Sequence, residues 1–118
     1  MAGPNLRRAV INIAASGDNT VISAVSGKVI HLHYYEIVNA SAATTTVILK
    51  DGAVAINGTG YPLTAGDQIY FDPQTQQVSM SPGTEKKQVV LTTGSAFIVN
   101  LSGANQHNGF VLYTVEPT

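Results

Sequence analysis

The chain has 118 residues, with six Lys and Arg, seven Asp and Glu, a formal net charge of -1 and no Cys. The length fits one domain, the charge removes any general electrostatic drive toward nucleic acid or an anionic membrane, and the missing Cys removes disulfides, thiolate metal sites and a Cys nucleophile. Only 11% of the residues are charged while 44% are hydrophobic. An average globular domain has about 25% charged residues, so here the surface falls to Thr, Ser, Asn, Gln and Gly, or to other protein subunits.

Residues 1–5, with Gly3 and Pro4, read as a flexible arm, and 6–118 as a single domain. No apolar stretch of signal-peptide or membrane-spanning length follows Arg7-Arg8, because Asn12 interrupts 9–15; this points to synthesis in a cytoplasm and to no membrane partner. Residues 6–15 read as a first strand, Ser16-Gly17-Asp18-Asn19 as a turn, and 20–25 as a second strand broken by Ser26-Gly27. The longest strand spans 28–39. Strict alternation places Ile30, Leu32, Tyr34 and Val38 on one face and Val29, His31, His33, Tyr35 and Ile37 on the other. With both faces apolar or aromatic, this strand is expected to be central.

Residues 44–50 form a β-branched run, Asp51-Gly52 is a hairpin turn signal, and 53–57 answers across it. Residues 58–66 read as a loop, 67–71 as a short strand ended by Asp72-Pro73, 78–80 as a weak strand and 86–93 as another. Residues 96–101 and 109–115 read as a last hairpin around a 102–108 loop. No segment holds a 3.6-residue apolar period over ten residues. The expected fold is all-β: a jelly-roll-like sandwich of about eight or nine strands.

Chemistry is sparse. His31 and His33, two residues apart on a strand, share a face about 6.6 Å apart, a spacing at which two imidazoles can reach one metal. With Glu36 they resemble the first motif of the cupins, a jelly-roll family of metalloproteins, and 60–67 resembles the cupin turn. Glu36 lies an odd number of residues from both His, which puts it on the opposite face of a regular strand, and no His follows the turn nearby, since the only other one, His107, falls in the 102–108 loop. The adopted reading is therefore no metal and no cofactor, with His31 and His33 packed between aromatics or lining a subunit contact.

Asp18, Asp51, Asp67 and Asp72 fall in turns, where carboxylates bind calcium in some sandwiches, but turn chemistry accounts for each. There is no Gly-x-Ser-x-Gly elbow or phosphate-cradling loop, and Glu36, Glu85 and Glu116 are scattered. No catalytic residue emerges, and the chain reads as a non-enzyme. Arg7-Arg8 fits either a pin for the arm on an acidic partner or ordinary solvated charge. Glu85-Lys86-Lys87 reads as a solvated turn. Tyr34, Tyr35, Tyr61, Tyr70, Phe71 and Tyr113 fit a core or its edge better than a stacking platform, with Tyr61 the one expected to be exposed. The sequons at Asn39, Asn57 and Asn100 read as chance matches.

The run from Val10 to Ile30, with its strand, Gly/Asn turn, Val-rich strand and Gly-Lys entry into a long strand, is similar to small β-rich proteins of tailed-bacteriophage virions. The segments 93–102 and 109–116 resemble that group's closing hairpin; 57–88 matches least. The chain also resembles the jelly-roll decoration, or cement, proteins of phage heads. That resemblance implies a virion structural protein on the capsid surface, a homo-oligomer, typically a trimer, bound to the major capsid protein. A tail or fibre module recognising a host glycan or protein, with Tyr61 and the 102–108 loop as its contacts, is the alternative, and a cupin-like metalloprotein is a third. The strand edges are poor in the Lys that usually blunts them, so neighbouring subunits are expected to cover them.

Overall fold

A computed structural model describes residues 5–71 and 89–117. Among these residues there is no helix, and ten strands form two antiparallel sheets packed face to face. The first sheet contains β1 (Arg7–Ile13), β3 (Lys28–Asn39), β7 (Gln68–Phe71), β8 (Val89–Val90) and β10 (His107–Pro117), in the order β1-β10-β3-β7, with β8 also paired to β3. The second contains β2 (Gly17–Ile22), β4 (Thr45–Asp51), β5 (Val54–Ala55), β6 (Tyr61–Leu63) and β9 (Phe97–Leu101), in the order β2-β9-β4-β5, with β6 also paired to β4. When β5 with β6 and β7 with β8 are each taken as one interrupted strand, eight strands remain, and their order is that of a jelly roll.

The core is made by alternation. Ile11, Ile30, Leu32, Ile37 and Val111 from the first sheet meet Val47, Leu49, Phe97, Val99 and Leu101 from the second, all almost wholly removed from water. Each such side chain contributes roughly 1.5–3 kcal/mol of transfer free energy. Among the fully buried side chains Phe97 is the largest, and its ring lies 6.3 Å from that of Tyr35.

Several expectations need correction. The residues 17–19, expected as a turn, begin β2: Gly17, Asp18 and Asn19 pair with Leu101, Asn100 and Val99, and the Asn19 side chain donates to the Ala15 carbonyl at 2.8 Å. Tertiary pairing overrides turn propensity here. The 58–66 loop contains β6, which pairs Leu63 with Thr45. β9 and β10 are not a hairpin; they lie in opposite sheets, and 102–106 carries the chain across the end of the sandwich. β10 is also longer than expected, beginning at His107. Arg7 and Arg8 open β1, within the first strand expected at 6–15. The arm at 1–5 lies, apart from Asn5, outside the described residues, as do Asp72, the strand at 78–80, the 85–87 turn and the first three residues of the strand at 86–93, of which Val89–Val90 form β8.

Candidate functional site

The feature that shapes the outer surface of the first sheet is a β-bulge in β3. Leu112 pairs with Tyr34, but the next residue, Tyr113, pairs with Leu32, so His33 is an extra residue on β3. The bulge reverses the alternation. Leu32 and Tyr35 are buried, while His33 and Tyr34 between them both face outward. The rings agree: Tyr35 lies against Phe97 in the core, whereas Tyr34 stacks on Phe110, 5.4 Å away on the outside. The expected faces of β3 therefore hold only as far as His33. Tyr34 leaves the core, Tyr35 and Ile37 enter it, and Glu36 joins His31 and His33 on the outer face, against the expectation from a regular strand.

The outer face is built in rows set by register. One row runs Arg8, Leu112, Tyr34; the next runs Val10, Phe110, Glu36, Tyr70. Val10 is 68% exposed and Tyr70 54%, with Phe110, Leu112 and Tyr34 half-buried between them. Tyr34 donates its hydroxyl to Glu36 Oε1 at 2.8 Å. Val10, Phe110, Leu112 and Tyr34 thus make an apolar and aromatic stripe over three strands, with Arg8 at its end and Glu36 between it and Tyr70, of the kind that marks a contact surface.

Beyond the bulge the same face becomes polar. The Thr114 hydroxyl donates to Glu116 Oε2 at 2.7 Å and stands 3.0 Å from His33 Nε2. A hydroxyl has one proton, so with that proton given to Glu116 the His33 ring is the donor, and Nε2 carries its hydrogen. Glu116 Oε2 also lies 3.6 Å from His31 Nδ1. The His33 pKa is held below its ordinary value, first by burial and then by the neighbouring His31, with Glu116 pulling the other way. Val90, 53% exposed, borders this corner opposite His31.

His31 and His33 thus do share a face, as their spacing predicts, but they are tied to Glu116 and Thr114 rather than to Glu36. His107 is not in a loop. It opens β10 fully buried, pairs with Asn39, and bonds the Asn105 carbonyl through Nδ1 at 2.9 Å. Asn39 lies at the other end of β3 from His31, roughly 27 Å along the strand. Among the described residues no three His, Cys, Asp or Glu side chains gather so as to hold a metal ion.

The turn carboxylates are engaged in the fold. Asp67 accepts from the Thr64 amide at 2.9 Å and hydroxyl at 2.7 Å, and these bonds lower its pKa. Asp51 accepts from the Thr92 amide and hydroxyl at 2.9 and 2.8 Å. Asp18 is in β2 rather than a turn. Tyr61 is 43% exposed, in line with the sequence. Its position opposite Val47, however, directs it to the open edge of the sandwich, close enough to Tyr35 to help burial raise that hydroxyl's pKa to about 12. The sequon residue Asn39 is buried with its amide bonded to the Ala43 and Leu63 carbonyls.

The second sheet presents a different outer face. Lys50 Nζ lies 3.0 Å from both oxygens of Asp18, and Asn100 donates to Asp18 Oδ1 at 2.7 Å. This polar cluster satisfies itself across β2, β9 and β4. The edges are also blunted: Arg7 and Arg8 stand exposed on β1, β2 is bulged between Thr20 and Ile22, and the opposite edges are short paired segments. What calls for a covering partner is thus the outer face of the first sheet more than the strand edges. What sequence reasoning missed was this face. Its signal, the alternation of Phe110 and Leu112 with the buried Val111, was present, but the bulge that aligns Tyr34 with them was not legible. No family model, curated protein or solved structure matches the chain.

Proposed function

We propose that this protein is a phage virion structural protein, a decoration protein that binds the outside of the head and stabilises it mechanically, without catalysis. The observation that carries the reading is the apolar and aromatic outer face of the first sheet, with Val10 and Tyr70 more than half exposed beside Phe110, Leu112 and Tyr34. A stripe of that extent on a chain so poor in charge is suited to burial against a neighbouring subunit of an assembled shell, whether another copy or a capsid subunit. The jelly-roll strand order supports the same reading, since the resemblance noted in the sequence is to jelly-roll head proteins. Its partners are further copies of itself and the major capsid protein; nucleic acid and membrane have no part in it.

The test is made on particles. Purified heads carry the protein in hundreds of copies, and particles lacking it lose titre faster under heat, chelation or osmotic shock. A few copies at the tail, together with binding on a glycan array, favour a receptor-binding module instead. Heads without the protein and with unchanged resistance end the proposal.

A further inference from the structure

We infer that the outer face of the first sheet is covered by a second copy of this chain, related by a two-fold axis running along β10. This deepens the reading above and rests on it only in taking the face as a protein contact. The face is complementary to itself. A two-fold axis along β10 lays each row over its own reverse, so that Leu112 meets Leu112, Phe110 meets Phe110, and the β1 side of one copy covers the β3 side of the other.

In the first row Arg8 then lies over the Tyr34 ring of the second copy, one row, about 6.8 Å, from its Glu36. Arg8 is exposed, and among the described residues neither it nor Glu36 belongs to an ion pair; the two present are His31–Glu116 and Lys50–Asp18. Tyr34 already orients the Glu36 carboxylate through Oε1. The pairing therefore supplies each Arg8 with a carboxylate and an aromatic face, the two partners a guanidinium prefers, and does so twice by symmetry. Aligned packing of two sheets about 10 Å apart accommodates it.

Size decides the strength. Four strands at about 4.8 Å and the eight residue steps from Asn108 to Glu116 give a face of roughly 500 Å² per copy, or about 1,000 Å² for the pair. That lies at the lower limit for a specific interface, the size class of weak, reversible contacts. The two-fold pair takes the place of the trimer expected from the sequence, and it leaves the polar face of the second sheet and the ends of the sandwich to meet the head.

The experiment is sedimentation of the purified full chain from about 1 to about 200 µM. A dimer is expected to grow in across that range. Arg8→Glu, and separately Val10→Glu on the exposed edge strand, each move its midpoint at least about tenfold upward. The charge swap Arg8→Glu with Glu36→Arg returns it to within about threefold of the native value. A monomer at every concentration, a trimer, or a dimer whose midpoint neither single substitution moves overturns the inference. So does a swap that fails to restore association while its thermal unfolding matches that of Arg8→Glu. None of these results bears on whether the protein decorates a head, which the particle copy number decides separately.

Discussion

Gly109 of β10 passes so close to the backbone carbonyl of Glu36 on β3 that no Cβ fits between them. Its φ of 154° is itself one that L side chains rarely adopt. This close approach seats the centre of β10, and with it Phe110 and Leu112, against the longest strand of the sheet. Gly109→Ala must either push the strands apart or break their pairing. It is expected to cost more than about 3 kcal/mol, or to prevent folding. Gly94 is the control: its φ is also positive, at 75°, but a Cβ there meets nothing within 4 Å. Gly94→Ala is expected to cost only about 1 kcal/mol. Urea unfolding of the two variants checks the contrast, and equal losses would show that the close approach is unimportant.

Asn39, at the end of β3, bonds every part of its amide. Nδ2 donates to the carbonyls of Ala43 and Leu63 at 2.7 and 2.9 Å, and Oδ1 accepts from the Ser41 amide and hydroxyl at 2.9 and 2.7 Å. One side chain thus ties the crossing between the sheets to β6. Asn39→Leu keeps the volume and removes all four bonds, including the one to the Leu63 carbonyl inside the fold. A loss of about 2–4 kcal/mol is expected. Ser41→Ala removes one partner at the rim and is expected to cost about 1 kcal/mol or less. Denaturant midpoints of the two variants check the ranking.

The long strand β3, the β4 run and the Asp51-Gly52 hairpin were legible because each rests on local pattern: alternation, β-branching and a two-residue turn signal. What was not legible depends on distant partners. The bulge at His33 is set by the pairing of β3 with β10, and one extra residue exchanged the faces of Tyr34, Tyr35, Glu36 and Ile37. The segment 102–106 is short enough for a hairpin loop, and its length alone does not tell a hairpin from a crossing between sheets. Gly17 to Asn19 have turn composition but pair as a strand because β9 lies beside them. The candidate face inherits this limit: its residues were visible one by one, while their alignment in rows depends on the register.

Two titrations bound the stability of the protein in pH. The His33 pKa is lowered in the folded state, chiefly by burial. The folded protein then binds the proton less readily than the unfolded chain, so its stability is intact above the ordinary His value of about 6.5 and falls as the pH drops below it. Tyr35 behaves oppositely. Burial, helped by Tyr61, raises its pKa to about 12, so its contribution is intact below the ordinary Tyr value of about 10 and is lost as the pH climbs toward 12. Thermal unfolding between these limits should form a plateau. The acid shoulder should shrink in His33→Gln, and the alkaline one should shift in Tyr35→Phe. A histidine NMR titration that places His33 above 6.5 would contradict the acid side.

The Asp18–Lys50 pair on the second sheet is a cross-strand contact in open solvent, with the Asp18 side chain 47% exposed. The bonds from Asn100 and Lys50 lower the Asp18 pKa, but solvent screens the pair, so it adds little to stability. A double-mutant cycle of Asp18→Asn and Lys50→Met should therefore give a small coupling that shrinks as salt is raised toward about 1 M. The same cycle reports on the function. If the first sheet is the self-contact, this second face stays wet in the dimer, and the coupling should be the same at concentrations below and above dimerisation. A coupling that grows on association would mean that Asp18 and Lys50 are desolvated there, which would move the interface to the second sheet.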